Sequence, residues 1–194
     1  MSRITQSMRI GILAPSGYGK TYLANKLVKM IAEKHKVIWY NTDFEQHPLW
    51  NGNKNIEVFE PDKRYYDELE YLNDWLINIR SQGTNFMIGI DDLDIFYNDK
   101  TSMGKLSKAL KDIASSGRHQ RIGLIWVSKA MAYIPHLLIK NTNIFYFGQF
   151  IEQSDLSRIS GIVNPELIVS LKKPVFLRYD RNEFEGERIA YVKA

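Results

Sequence analysis

Residues 13–27 read LAPSGYGKTYLANKL. The apolar run Ile10-Gly11-Ile12-Leu13 enters a glycine-bearing turn that closes on Lys20-Thr21, and Leu23 and Leu27 follow at helical spacing. The pattern G-x-x-x-x-G-K-[ST] holds phosphate because glycines let successive backbone N–H groups converge at a helix N-terminus. Its lysine reaches the outer phosphates, and its Thr or Ser hydroxyl ligates Mg²⁺. Here Ala14 replaces the first glycine, while Gly19, Lys20 and Thr21 are intact. A chance glycine turn before a helix is the alternative. The flanking strand and amphipathic helix favour a phosphate loop, so Pro15, Ser16, Gly17, Tyr18, Gly19, Lys20, Thr21 and Tyr22 are expected to bind nucleotide.

Outward from this loop the chain alternates. Continuous apolar runs at Arg9 to Leu13, Val37 to Tyr40, Phe86 to Ile90, Ile122 to Val127 and Ile144 to Phe147 predict strands buried on both faces. Helical periods span Lys20 to His35, Arg64 to Ser81 and Met103 to Ser116. The last segment predicts a β-hairpin, Val175 to Tyr179 with Arg188 to Val192, turning near Gly186. Loops are expected over Gln46 to Asn55 and Tyr97 to Ser102. This pattern predicts an α/β fold of three layers, αβα, around a mostly parallel sheet. One domain is expected over 1–194, with its core in 8–150 and the C-terminal helices and hairpin in 151–194.

Composition excludes several chemistries. The 194 residues contain no cysteine, which removes disulfides, thiolate metal sites and cysteine nucleophiles. The four histidines have no ligand spacing, and a net charge of +4 permits a polyanionic partner without demanding one. Residues Met1 to Arg9 have no apolar signal-peptide core, and no apolar run is long enough for a membrane span. A cytoplasmic setting is expected.

The run NFMIGIDDLD is an apolar strand ending in Asp91-Asp92. Beside a phosphate loop, one carboxylate at such a strand end holds Mg²⁺ and an adjacent one polarises the attacking water. Asp91 is assigned to the metal and Asp92 to water, with Asp94 a further candidate for either. A solvated acidic loop is the alternative.

Further on, Gly117-Arg118 precedes the strand Ile122 to Val127, which ends in Ser128-Lys129, and Ile134-Pro135, Ile139 and Asn141 follow. From Ile10 to about Tyr179 the chain resembles the FtsK–HerA superfamily of DNA-pumping ATPases. It looks most like the compact genome-packaging ATPases of icosahedral viruses with an internal membrane. The resemblance implies a RecA/FtsK-like P-loop NTPase fold, ATP and Mg²⁺ as cofactors, and double-stranded DNA as partner. It also implies a homo-oligomeric ring, a pentamer or hexamer, with a capsid vertex or membrane protein as a possible further partner. A viral packaging motor would work in the host cytoplasm or on the virion. Arg118, with Arg121 as alternate, would act in trans on a neighbour's nucleotide. Lys129 stands where the superfamily has a sensor glutamine and cannot accept a hydrogen bond from water as glutamine does, so Ser128 is expected to share that task. Asp43 matches an acidic position of the superfamily, or simply starts a turn.

Lys100, Lys105, Lys108 and Lys111 and the loop NGNKN (Asn51 to Asn55) are candidates for sequence-independent DNA contact, or a wet helix face and a surface turn. The helical spacing of Tyr65, Tyr66, Tyr71 and Trp75 with Leu69, Leu72 and Leu76 favours core packing over base stacking for most of them. Among other functions, a small-molecule kinase is disfavoured by Asp91-Asp92, a GTP switch by the lack of a guanine-reading Asn-Lys-x-Asp, and an AAA+ loader by the C-terminal hairpin. A HerA-like translocase for repair or plasmid transfer is the nearest alternative.

Overall fold

A computed structural model describes residues 7–42, 50, 52–97, 107–184 and 188–194. Their strands are β1 (Arg9–Leu13), β2 (Lys36–Tyr40), β3 (Ile56–Phe59), β4 (Phe86–Ile90), β5 (Ile122–Ser128), β6 (Ile144–Phe147), β7 (Val175–Asp180) and β8 (Ile189–Lys193). They form one sheet in the order β3-β2-β4-β5-β1-β6-β7-β8. The pairings from β3 to β6 are parallel, and β7 and β8 add antiparallel. The helices are α1 (Lys20–Ala32), α2 (Leu69–Ser81), α3 (Lys108–Ser116), α4 (His136–Asn141), α5 (Gln153–Ile159) and α6 (Pro165–Val169).

Two apolar clusters, one on each face, make the three layers. On one face α1 lays Leu23, Leu27, Val28 and Ile31 against Ile10, Ile12, Trp39 and Val127. On the other, Leu72, Leu76 and Ile79 of α2 and Leu110 and Ile113 of α3 cover Ile88, Ile90, Leu124 and Trp126. Each of β1, β4 and β5 is buried throughout, which is why their sequences are continuously apolar. Two tryptophans fix the register. Trp39 lies opposite Gly89 and Trp126 opposite Gly11. A Cβ on Gly89 would fall 1.8 Å from the Trp39 ring, and one on Gly11 2.5 Å from Trp126, so each indole occupies the space its glycine leaves open.

The strand β3 corrects the sequence reading, which ended a loop at Asn55 and named no strand after it. This edge strand is half exposed and pairs only with β2. The helix expected from Arg64 begins instead at Leu69, because Asp62 Oδ1 accepts the Arg64 N–H at 3.0 Å and turns residues 63–67. Trp75 joins the core, packing on Tyr40 at 4.9 Å, whereas Tyr65 falls in the turn and is exposed. No helix of the described residues is long and apolar enough to cross a membrane.

Candidate nucleotide site

In a parallel sheet the carboxyl ends of all strands open at one edge, where ligands bind. The phosphate loop leaves β1 there. Gly17 and Gly19 adopt φ of 72° and 103°, a left-handed region that β-carbons disfavour. Gly19 caps α1 with no side-chain hydrogen bond, so the first turn of this 13-residue helix is not claimed by a side-chain cap. Pro15, Ser16 and Gly17 are exposed and Thr21 is half-buried, as a ligand cradle requires. Lys20 is buried, and its Nζ donates to Pro15 O at 3.2 Å. Burial lowers the Lys20 pKa, while the charges of Asp92, Asp91 and Asp94 oppose that shift and Lys129 adds to it. All four therefore lie within electrostatic reach of this ammonium.

Tyr18 and Tyr22 part company. Tyr22 is exposed, with the Lys26 ammonium 4.6 Å from its ring centre. Tyr18 turns inward: its N–H meets Pro15 O, its ring packs edge-on to Phe176, and its hydroxyl donates to Val175 O at 2.9 Å. The Tyr18 side chain thus anchors the loop to β7.

Strand order explains how distant residues meet. β5 lies between β1 and β4, so the Ser128-Lys129 end stands between the phosphate loop and Asp91-Asp92. Asp91 is buried and accepts the Asp92 N–H at 3.0 Å. Asp92 is held at φ 37°, an uncommon backbone for a non-glycine residue and one found at functional sites. Asp94 is fully buried. Its Oδ1 accepts from Ser128 Oγ at 2.9 Å and from Lys129 N at 3.0 Å, and Lys129 Nζ stands 3.6 Å from Oδ2. Ser128 is fully buried too, with Ala130 O 2.8 Å from its hydroxyl. That hydroxyl is thus hydrogen-bonded inside the protein, where Ser128 braces the strand end. Asp94, considered above for metal or water, is the acceptor that holds Ser128 and Lys129.

Thr21 Oγ1 and the Asp91 carboxylate are hard oxygen donors, the type Mg²⁺ prefers with phosphates and waters completing the shell. Among the described residues no three His, Asp or Glu could hold a metal on their own. One hydroxyl and one carboxylate fit a cation whose remaining ligands are phosphate oxygens and waters.

Arg118 lies elsewhere. It precedes β5, at the amino edge of the sheet, and the seven residues of β5 separate the two edges by about 23 Å. Arg118 and Arg121 are exposed and cannot reach the phosphate loop of their own chain. Lys108 and Lys111 are exposed on α3, and Lys54 is exposed between Asn53, whose Oδ1 accepts the Asn55 N–H at 3.0 Å, and Asn55, whose Nδ2 donates to Ala32 O of α1 at 2.7 Å. Lys100, Lys105, Asn51 and Asp43 lie outside the described residues.

No protein-family model and no curated protein matches the chain. Solved structures do. The genome-packaging NTPase B204 of Sulfolobus turreted icosahedral virus 2, in complex with AMP, superposes with a TM-score of 0.70 at 18% identity, covering 98% of each chain. The DNA-packaging ATPase B204 of Sulfolobus turreted icosahedral virus gives 0.69 at 20% identity, again over 98% of each. The pCW3 conjugation coupling protein TcpA, with ATPgS, gives 0.59 at 16% identity over 97% of this chain and 60% of that one. The chain is thus similar in fold to the kind of ATPase its sequence resembles, a P-loop NTPase with a C-terminal antiparallel strand pair.

Proposed function

We propose that this chain is a Mg²⁺-dependent ATPase, one domain over 1–194, that drives double-stranded DNA into a viral capsid. One observation carries this. Lys20, Asp91, Asp92 and Lys129 follow the neighbouring strands β1, β4 and β5 at one edge of the sheet, while Arg118 stands exposed at the opposite edge. Phosphates would rest on Gly17 to Thr21, with Lys20 on the β/γ oxygens and Thr21 and Asp91 on Mg²⁺. Asp92 orients the attacking water. Lys129 donates to the γ-phosphate from the position Asp94 fixes. Arg118 of a neighbouring subunit neutralises charge on the transferred group, so the enzyme works as a ring of five or six copies. Likeness to the two viral packaging ATPases over 98% of each chain supports the packaging role, with a capsid vertex or membrane protein as docking partner and the host cytoplasm or virion as its place. Likeness to TcpA supports a second reading, a DNA translocase of plasmid transfer.

The test is ATP turnover by the purified protein with and without long duplex DNA, beside Arg118→Ala and Asp92→Asn. Duplex DNA is expected to raise the rate, and each variant to lose it while still binding ATP. A mixture of the two variants regains part of the rate, because some interfaces then pair an intact Asp92 with an intact Arg118. Unaltered turnover by both variants would refute the shared site.

A further inference from the structure

The turn between α6 and β7 lies against the phosphate loop, although Tyr18 and Val175 are 157 residues apart in the chain. Three links hold it. Tyr18 Oη donates to Val175 O, Ala194 N donates to Pro174 O at 3.0 Å, and the Ala194 methyl stands 3.4 Å from where a Cβ on Gly19 would be. From this turn the Lys173 side chain reaches the loop, its Nζ 3.8 Å from where a Cβ on Gly17 would be. Lys173 is exposed, and among the described residues its ammonium has no hydrogen bond or ion pair. A lysine held beside a phosphate cradle and unpaired among the described residues is suited to a ligand anion.

We propose that Lys173 is a phosphate-contacting residue of the nucleotide site, acting on the α/β end of the phosphate chain. The inference rests on the nucleotide reading above. Sheet order supplies the direction. β7 lies on one side of β1, beyond β6, whereas β5 and β4 with Lys129, Asp91 and Asp92 lie on the other. Lys173 therefore approaches from the flank away from the carboxylates and Lys129, and serves affinity while Lys20 and Lys129 serve the reacting phosphate.

The experiment is calorimetric titration of the full chain with ADP and with ATPγS, together with steady-state ATP turnover, for the wild type, Lys173→Ala, Lys173→Arg, Lys172→Ala and Lys20→Ala. Lys173→Ala is expected to weaken ADP and ATPγS alike by about fivefold, less so at high salt, and to raise KM with kcat unchanged. Lys173→Arg restores affinity, and Lys172→Ala stays within about twofold of wild type. Wild-type affinity in Lys173→Ala, or a fall in kcat with affinity intact, overturns the proposal. If the wild type binds neither nucleotide, or Lys20→Ala binds both as tightly, the nucleotide reading itself falls and takes this proposal with it. Binding that depends on Lys20 and not on Lys173 leaves that reading standing and removes only this one.

Discussion

Asp94 tests whether the site is braced as described. Asp94→Ala removes the acceptor for the Lys129 N–H and for the buried Ser128 hydroxyl. A hydrogen bond to a charged group contributes about 1.5–3 kcal/mol. The Ser128 hydroxyl can turn wholly to Ala130 O, so the two losses do not simply add. The pairing of Asp94 with Lys129 contributes under about 1 kcal/mol, because Lys129 is 42% exposed at its side chain. The net cost is about 3 kcal/mol, which lowers Tm by about 6–12 °C in a chain of this size. Asp94→Asn keeps an acceptor oxygen but loses the charge and places an amide NH₂ where the buried Oδ2 faces the Lys129 ammonium, so its cost is about 1–2 kcal/mol, or about 2–8 °C. It isolates the functional term: with Lys129 no longer drawn to its partner, ATP turnover falls about tenfold at unchanged KM. Thermal unfolding followed by circular dichroism, beside steady-state turnover, reads both. An Asp94→Ala protein melting within a degree of wild type would refute the brace, and full turnover in Asp94→Asn would refute the positioning of Lys129.

Other substitutions probe separate parts. Gly89→Ala places a methyl in the Trp39 ring and should cost at least about 1–3 kcal/mol, lowering the urea midpoint as followed by tryptophan fluorescence. Tyr18→Phe loses the bond to Val175 O and should cost about 1 kcal/mol in the same assay, leaving the fold intact. Asp91→Asn should raise the Mg²⁺ concentration needed for half-maximal turnover. Asp92→Asn should instead lower kcat by about a hundredfold or more at unchanged Mg²⁺ demand, and a Mg²⁺ titration of turnover separates the two.

What was legible in the sequence followed from burial. β1, β4 and β5 are covered on both faces, so their apolar runs stand out, and the residues that follow them fall at one sheet edge as parallel topology requires. β3 was not legible because an edge strand needs no continuous apolar run: Glu57 faces solvent and pairs with Lys36 at 2.7 Å. The chemistry of Ser128 was visible and its burial was not. A hydroxyl at a strand end reads alike whether it faces a ligand or an internal carboxylate, and only the fold of residues 93–97 brings Asp94 beneath it. Lys173 left no local signal, since its place beside Gly17 depends on β6 and β7 following β1 in the sheet order.

On the function proposed above, the same topology would leave one subunit alone an incomplete motor. Residues that follow strands gather at the nucleotide edge, and residues that precede them, Arg118 and Arg121 before β5, gather at the other. The arginine edge also sets like charges near one another. Beneath it Arg9 is 5% exposed, donates Nη2 to Ile113 O at 3.1 Å, and has its pKa lowered by burial and then by the charge of Arg118. Like charges held together at a surface favour an incoming anion, because each gains from its approach. A neighbour's nucleotide phosphates are such an anion. In the proposed ring, the repulsion between Arg9 and Arg118 would therefore favour a neighbour that carries ATP, and that preference would weaken as its phosphate charge departs.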